Sequence, residues 1–246
     1  MENRKLEKIW ENFWRLKEIE EITENDPAYK IVRDILLRYP KGSQVLDAGS
    51  GLGRWVFYFQ KSGYRAYGID IAYNAVRRCQ EYAKLNNLNC RFLVGDIRAM
   101  PFSDNFFDLI FSFGAIEHFE ESLQALKEFY RTLKKDGTCF ITTPNVYSVR
   151  ALITRPISNP LKNPKLGYLG FEKSFTPRQL SKMMAEVGFK ELQFGILPDG
   201  LFLGSFYKFI PIIGKYLFLL TKKISFWIES HQSKLGHVSY CFGIKT

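Results

Sequence analysis

Between residues 44 and 145 short apolar runs alternate with amphipathic stretches, and this alternation constrains the fold more than any other feature of the chain. The runs are QVLDAG (44–49), YRAYGID (64–70), CRFLVGD (90–96), FFDLIFSFG (106–114) and TCFITTPN (138–145). Between them, RWVFYFQKSG, IAYNAVRRCQEYAKLNN and EESLQALKEFYRTLKKDG carry apolar residues at helical spacing, with stops expected at Gly63, the Asn86-Asn87 pair and Gly137. Strands alternating with helices predict a parallel sheet covered on both faces. Right-handed crossovers then gather the carboxyl ends of the strands on one edge, where such sheets bind ligands at the reversal of strand order. Asp47, Asp70 and Asp96 stand at or just before the ends of the first three strands. They are expected on one rim.

The flanks are read the same way. Leu6, Ile9, Trp10, Phe13, Leu16 and Ile19 recur at helical spacing, and Asp26-Pro27 predicts the start of a second helix that runs to about Arg38. TPRQLSKMMAEVGF predicts a helix capped by Thr176 and closed by Gly188. FKELQFGIL (189–197) and VSYCFGIK (238–245) read as a sixth and a seventh strand.

After the first strand, Gly49, Gly51 and Gly53 recur at every second position, which lets a backbone turn sharply and a ligand approach closely. A phosphate-binding P-loop needs Lys-Ser or Lys-Thr after its last glycine, and Arg54-Trp55 stands there instead. A dinucleotide fingerprint needs a small residue at its sixth position, and Arg54 or Val56 falls there. What remains is DAGSGLG, an acid seventeen residues past Gly53, and a Gly-Asp pair after the third strand.

In this order the motifs resemble the class I S-adenosylmethionine-dependent methyltransferases, and within them the small-molecule group often called type 11. The resemblance covers about residues 41–197 and the last strand. It rests on DAGSGLG, YGIDIA, LVGDIRAMPF, FDLIFSFGAIEHF and LKKDGTCFITTPN. It implies a doubly wound, seven-stranded, mostly parallel Rossmann-like sheet with an antiparallel last strand. It implies S-adenosyl-L-methionine as cofactor, held by Asp47, Gly49, Gly51, Gly53, Asp70, Ile71, Asp96, Ile97 and Phe113. Asp70 would accept from both ribose hydroxyls, Asp96 from the adenine amine, and Ile71 and Ile97 would sandwich the ring. Backbone amides of the loop would meet the methionine carboxylate. For any one of these acids, an ordinary helix N-cap is the competing role.

Methyl transfer needs alignment and exclusion of water, and needs a base only when the acceptor must lose a proton. His118, after the fourth strand, is the candidate base; Glu117, Asn145, Arg150 and Arg155 are candidates for the acceptor side. TTPN departs from the amino-methyltransferase NPPY pattern, which favours an oxygen or carbon acceptor. No metal site is expected.

Charge is uneven along the chain. The net charge is +10, and residues 141–246 alone hold 14 Lys and Arg against 5 Asp and Glu. Residues 198–236 mix Phe, Leu and Ile with Lys208, Lys215, Lys222 and Lys223, and Gly200 to Tyr207 is their longest uncharged run, too short to span a bilayer. Such a segment suits a membrane interface, a cover over a lipid-like substrate, a dimer contact or plain packing. The four cysteines lack metal or disulfide spacing, and the charged N-terminus lacks a signal-peptide core, so a cytoplasmic location, peripheral at the inner membrane face, is expected.

The organisation expected is one methyltransferase domain over 1–246. It comprises a helical cap (1–40), a cofactor-binding half (41–145), a basic loop and substrate-side half (146–197), the insertion (198–236) and the last strand (237–246). The function expected is O-methylation of a hydrophobic, lipid-linked or anionic small molecule, with homo-oligomerisation an option. Two rival readings stay open: an RNA methyltransferase using the basic C-terminal half, and a non-enzymatic cofactor-binding regulator.

Overall fold

The computed structural model describes residues 2–15, 17–148, 172–197, 236 and 238–246. Arg150 and Arg155, the basic loop around them and nearly all of the insertion lie outside the described residues. Seven strands form one sheet in the order β3-β2-β1-β4-β5-β7-β6. These are β1 (Gln44–Ala48), β2 (Arg65–Asp70), β3 (Arg91–Val94), β4 (Phe107–Phe113), β5 (Leu133–Pro144), β6 (Lys190–Leu197) and β7 (Val238–Ile244). The first five run parallel, and β7 runs antiparallel between β5 and β6. This is the doubly wound sheet the sequence predicts. Strand order reverses between β1 and β4, so the site lies above that pair.

The helices are α1 (Glu2–Arg15), α2 (Tyr29–Leu36), α3 (Arg54–Lys61), α4 (Tyr73–Leu85), α5 (Ser122–Thr132) and α6 (Pro177–Val187). Both sheet faces are covered, and the strands show it by alternation. Leu46 and Ile110 pack into one core with Phe129, Leu180 and Met184. Their neighbours Val45, Leu109 and Phe111 pack into the opposite core with Val32, Trp55 and Phe59. All of these are essentially inaccessible to solvent, and each large side chain contributes about 1.5–3 kcal/mol by leaving water.

Three boundaries differ from the expectations. α5 ends at Thr132, and residues 133–137, expected in its last turn, join β5. Leu133 pairs with Phe107 across a bulge, and the end of β7 holds the strand there: Asp136 N–H donates to the Lys245 carbonyl (2.7 Å) and Lys245 N–H to the Gly137 carbonyl (3.0 Å). Pairing outweighs the local helical pattern. α1 ends at Arg15, short of Ile19, and the Arg78 guanidinium donates to the carbonyls of Trp14 (2.7 Å) and Lys17 (2.6 Å) around that end. Asp26 accepts from Ala28 N–H (2.9 Å) in a turn, and the helix begins two residues after Pro27.

Thr176 and Gln179 make the reciprocal capping box of α6, with Pro177 at its first position. Among the described residues, no helix is long and apolar enough to cross a membrane.

Candidate active site

The chain leaves β1 at the switch point and turns through the glycines into α3. Here backbone geometry dictates residue type. Gly53 has φ +72°, and a Cβ there would come within 2.7 Å of the Phe92 ring. Gly51 has φ +51°, and a Cβ there would come within 2.5 Å of the Trp14 indole. One glycine admits the sheet-side packing, the other the cover from above. Gly53 therefore supports the loop from behind, while Gly49 and Gly51 line a cavity of about 660 Å³, inside the range of roughly 300–1,000 Å³ usual for small-molecule sites.

The loop ties itself to β2. Gly49 and Ser50 N–H both donate to the Ile69 carbonyl (2.8 and 3.0 Å), Gly53 N–H to the Ser50 carbonyl (2.8 Å), and Gly51 N–H to Asp70 Oδ2 (2.7 Å). Four loop amides expected to meet a ligand carboxylate are thus spent within the protein. The other Asp70 oxygen accepts from Ala72 N–H (2.9 Å). Asp70 lines the cavity, and a carboxylate there can accept from both hydroxyls of a vicinal diol. Burial holds the Asp70 carboxyl above the usual range, and the Ala72 and Gly51 amides pull it back.

Asp47 lacks such donors. It is 2% exposed, and its Oδ1 has no hydrogen-bond partner among the described residues. Burial, then the Asp70 charge, push it up to about 8, with Arg54 opposing. A buried carboxyl oxygen left unbonded on a cavity wall calls for a donor from the ligand, and an ammonium group fits. The Asp47–Gly51–Asp70 cradle therefore fits a ligand with an amino group at one end and a sugar diol beyond it, as S-adenosylmethionine has.

The remaining expected residues divide. Ile71, Ile97, Phe113 and His118 line the cavity, and Phe113 stacks on Trp55 (4.6 Å, 11°). Asp96 lies outside the lining, its carboxylate turned to Arg98: the guanidinium meets Oδ2 at 2.8 Å and the Arg98 amide meets Oδ1 at 2.9 Å. Asn145 is fully buried and its Nδ2 donates to the Gly236 carbonyl (2.8 Å), so it ties β5 to the approach of β7.

A short 3-10 turn, Ile116–His118, follows β4. His118 presents its ring to Trp10 edge-on at 4.7 Å, and its Nε2 lies 3.9 Å from Glu117 Oε1. Glu117 stands behind the cavity wall, 2% exposed, with Oε2 lacking a hydrogen-bond partner among the described residues. Burial pushes its carboxyl up to about 8, and the Glu172 charge adds to this. α1 closes the top: Trp10, Phe13 and Trp14 line the cavity, Arg78 holds the end of α1, and Glu11 accepts from Asn74 N–H (3.0 Å) at the start of α4.

Arg54, Thr142 and Glu172 also line the cavity and were not anticipated. Arg54 pairs with Asp26, another wall residue. Its place directly after the last loop glycine was the available signal. Glu172 and Thr142 carry no local signal, because only the tertiary fold brings them to the cavity. Among the described residues, no group of three His, Cys, Asp or Glu side chains could hold a metal ion.

Residues 46–141 match the family model described as a methyltransferase domain. Phosphoethanolamine N-methyltransferase of Plasmodium falciparum is 40% identical over 116 residues, 46% of this chain and 42% of that protein. Malonyl-[acyl-carrier protein] O-methyltransferase of Hamiltonella defensa is 27% identical over 158 residues, covering 62% and 60%. Among solved structures, phosphoethanolamine N-methyltransferase 2 of Haemonchus contortus, in complex with phosphomonomethylethanolamine and S-adenosylhomocysteine, superposes with TM-score 0.64 at 17% identity, covering 88% of this chain and 52% of that one. That likeness is one of fold. The chain spans less than half the length of the phosphoethanolamine methyltransferases it matches.

Proposed function

We propose that this chain, a class I S-adenosylmethionine-dependent methyltransferase by its matched domain and strand order, methylates a small molecule with a hydrophobic portion. The observation that carries the reading is the cradle: the unbonded Asp47 oxygen beside Asp70, with Gly51 between them and α3. Asp47 would take the amino group of the cofactor and Asp70 its ribose hydroxyls, while Ile71 and Ile97 would flank the adenine. When bound, the cofactor supplies an electrophilic methyl carbon whose leaving group is a neutral thioether.

The protein's own part is alignment and dryness. Trp10, Phe13 and Trp14 exclude water from above. His118 stands on the cavity wall where a proton from the acceptor can be taken. Leu197 and Val238, which bracket residues 198–237, both line the cavity. The apolar, lysine-studded insertion therefore departs from and returns to the cavity rim. This supports a hydrophobic or lipid-linked acceptor and contact of the insertion with a membrane surface. The curated relatives include both an N- and an O-methyltransferase by name, so relatives do not decide the acceptor atom.

Two measurements test the reading. Calorimetric titration with S-adenosylhomocysteine should give saturable binding that Asp70→Ala reduces at least tenfold. Methyl-labelled cofactor should then label the lipid or polar small-molecule fraction of a cell extract. Label in RNA would favour the nucleic-acid rival, and intact cofactor binding with no label anywhere would favour the non-enzymatic one.

A further inference from the structure

The amino-acid end of the cofactor carries an ammonium and a carboxylate, and the two need opposite partners. Asp47 offers its unbonded oxygen to the ammonium. The carboxylate needs donors, yet the amides of Gly49, Ser50, Gly51 and Gly53 already donate to Ile69, Asp70 and Ser50. Two side chains on the cavity wall, Trp14 and Arg54, supply donors from elsewhere.

The Trp14 ring lies over Gly51. Its Cε2, the carbon bonded to Nε1, is 3.0 Å from where a Gly51 Cβ would stand. Nε1 is buried and has no hydrogen-bond partner among the described residues. A buried indole N–H ordinarily finds an acceptor, and leaving it without one is costly. The cavity thus carries an open donor on Trp14 as well as an open acceptor on Asp47.

Arg54 is the first residue of α3. It donates to one oxygen of Asp26, whose other oxygen accepts from Ala28 N–H (2.9 Å). Its guanidinium also rests over the Trp55 ring, 5.8 Å from the centroid. These neighbours fix the group, and its remaining donors form a fork that matches a carboxylate. Its positive charge reaches Asp47 and favours the ionised carboxyl there. A cation and an ammonium acceptor side by side suit the two charges of an α-amino acid.

Resting on the methyltransferase reading, we infer that the cofactor carboxylate is held from outside the glycine loop, by the Trp14 indole N–H and the Arg54 guanidinium. This replaces the backbone-amide contact expected from the sequence. Hydrogen bonds to a charged acceptor are the strong ones, and donors already in place lose little freedom on binding. Trp14 belongs to the covering helix, so the cover closes on the carboxylate itself. An adenosyl thioether without that carboxylate fills the adenosine end and leaves the indole N–H unpaired, and the site discriminates against it.

The test titrates the full chain by calorimetry with S-adenosylhomocysteine and with its decarboxylated analogue, which keeps the amine, the thioether and the adenosine. The unaltered chain should bind S-adenosylhomocysteine about a hundredfold more tightly than the analogue. Trp14→Phe and Arg54→Met should each reduce that ratio about tenfold, and the double variant should bring it near unity. If Trp14 only packs on Gly51 and Arg54 only latches Asp26, both affinities fall together and the ratio stays, which would overturn the inference. A ratio near one in the unaltered chain would overturn it as well. Trp14→Phe alone decides where Arg54→Met does not fold. Binding of neither ligand to the unaltered chain would count against the methyltransferase reading and remove the inference with it, whereas equal binding of both leaves that reading in place.

Discussion

The Trp14 indole lies directly on Gly51, so close that a methyl group on the Gly51 Cα would come within 2.5 Å of it. The contact joins the covering helix to the glycine loop on the cavity wall. The same glycine donates its amide to Asp70. A single backbone position thus fixes the cradle below and the cover above.

Gly51→Ala should therefore damage both. A side chain at φ +51° is strained by roughly 1–2 kcal/mol, which for a chain of this size lowers the melting temperature by about 2–8 °C. The new methyl group also pushes Trp14 off the loop, so S-adenosylhomocysteine affinity should fall at least tenfold and Trp fluorescence should change. Adding Trp14→Ala removes the collision and leaves the strain. If the double variant is no better folded than the single one, the contact is not the cause.

The two buried carboxyls at about 8 set a pH dependence. Asp47 and Glu117 hold protons more tightly in the folded chain than in the unfolded one, where they titrate near 4. Their stabilising effect is complete below about 4 and is lost as pH rises toward and through 8. Melting temperature of the ligand-free protein should fall steadily from pH 5 to 9, and Asp47→Asn together with Glu117→Gln should flatten the slope. Because an ammonium ligand lets Asp47 ionise, S-adenosylhomocysteine binding near pH 7 should release protons. Calorimetry in buffers of different ionisation enthalpy reads that release directly.

Local features were legible in the sequence and distant ones were not. The glycine loop and the strand-ending acids show in the sequence because backbone conformation and strand ends are local properties. The parallel sheet covered on both faces follows from the alternation, whereas the doubly wound arrangement with an antiparallel last strand is implied by the family resemblance and its strand order is read from the fold. Asp96 illustrates the limit: its place after β3 is legible, but Arg98 two residues on claims the carboxylate, and side-chain partners compete in ways spacing does not encode. Asn145, expected on the acceptor side, bonds Gly236 instead, and Glu172, for which no role was expected, lines the cavity. Where each points depends on β7 and on the chain after the basic loop, both far away in sequence.

Arg78 offers a way to loosen the cover without touching the cavity. It is absent from the lining and holds α1 by two carbonyls. Arg78→Ala should cost about 1–2 kcal/mol of local stability and leave the cradle intact. The expected signature is kinetic: S-adenosylhomocysteine should dissociate about tenfold faster, with little change in association. Stopped-flow Trp fluorescence checks this, and equal dissociation rates would mean that α1 does not close the site.

The insertion carries the last prediction. Its ends reach the cavity rim at Leu197 and Val238, and Lys208, Lys215, Lys222 and Lys223 interrupt its apolar runs. Each lysine near an anionic membrane contributes about 1 kcal/mol, and the contribution falls with salt because surface charges are screened within about 10 Å at 0.1 M. The protein should therefore float with vesicles containing anionic lipid, float less with neutral ones, and be released as salt rises. Changing Lys222 and Lys223 to Glu should abolish flotation while leaving S-adenosylhomocysteine binding unchanged, since neither lysine is among the residues proposed to hold that ligand. Absence of flotation with every vesicle composition would remove the insertion's contact with membranes and leave a substrate cover, a dimer contact or plain packing as its role.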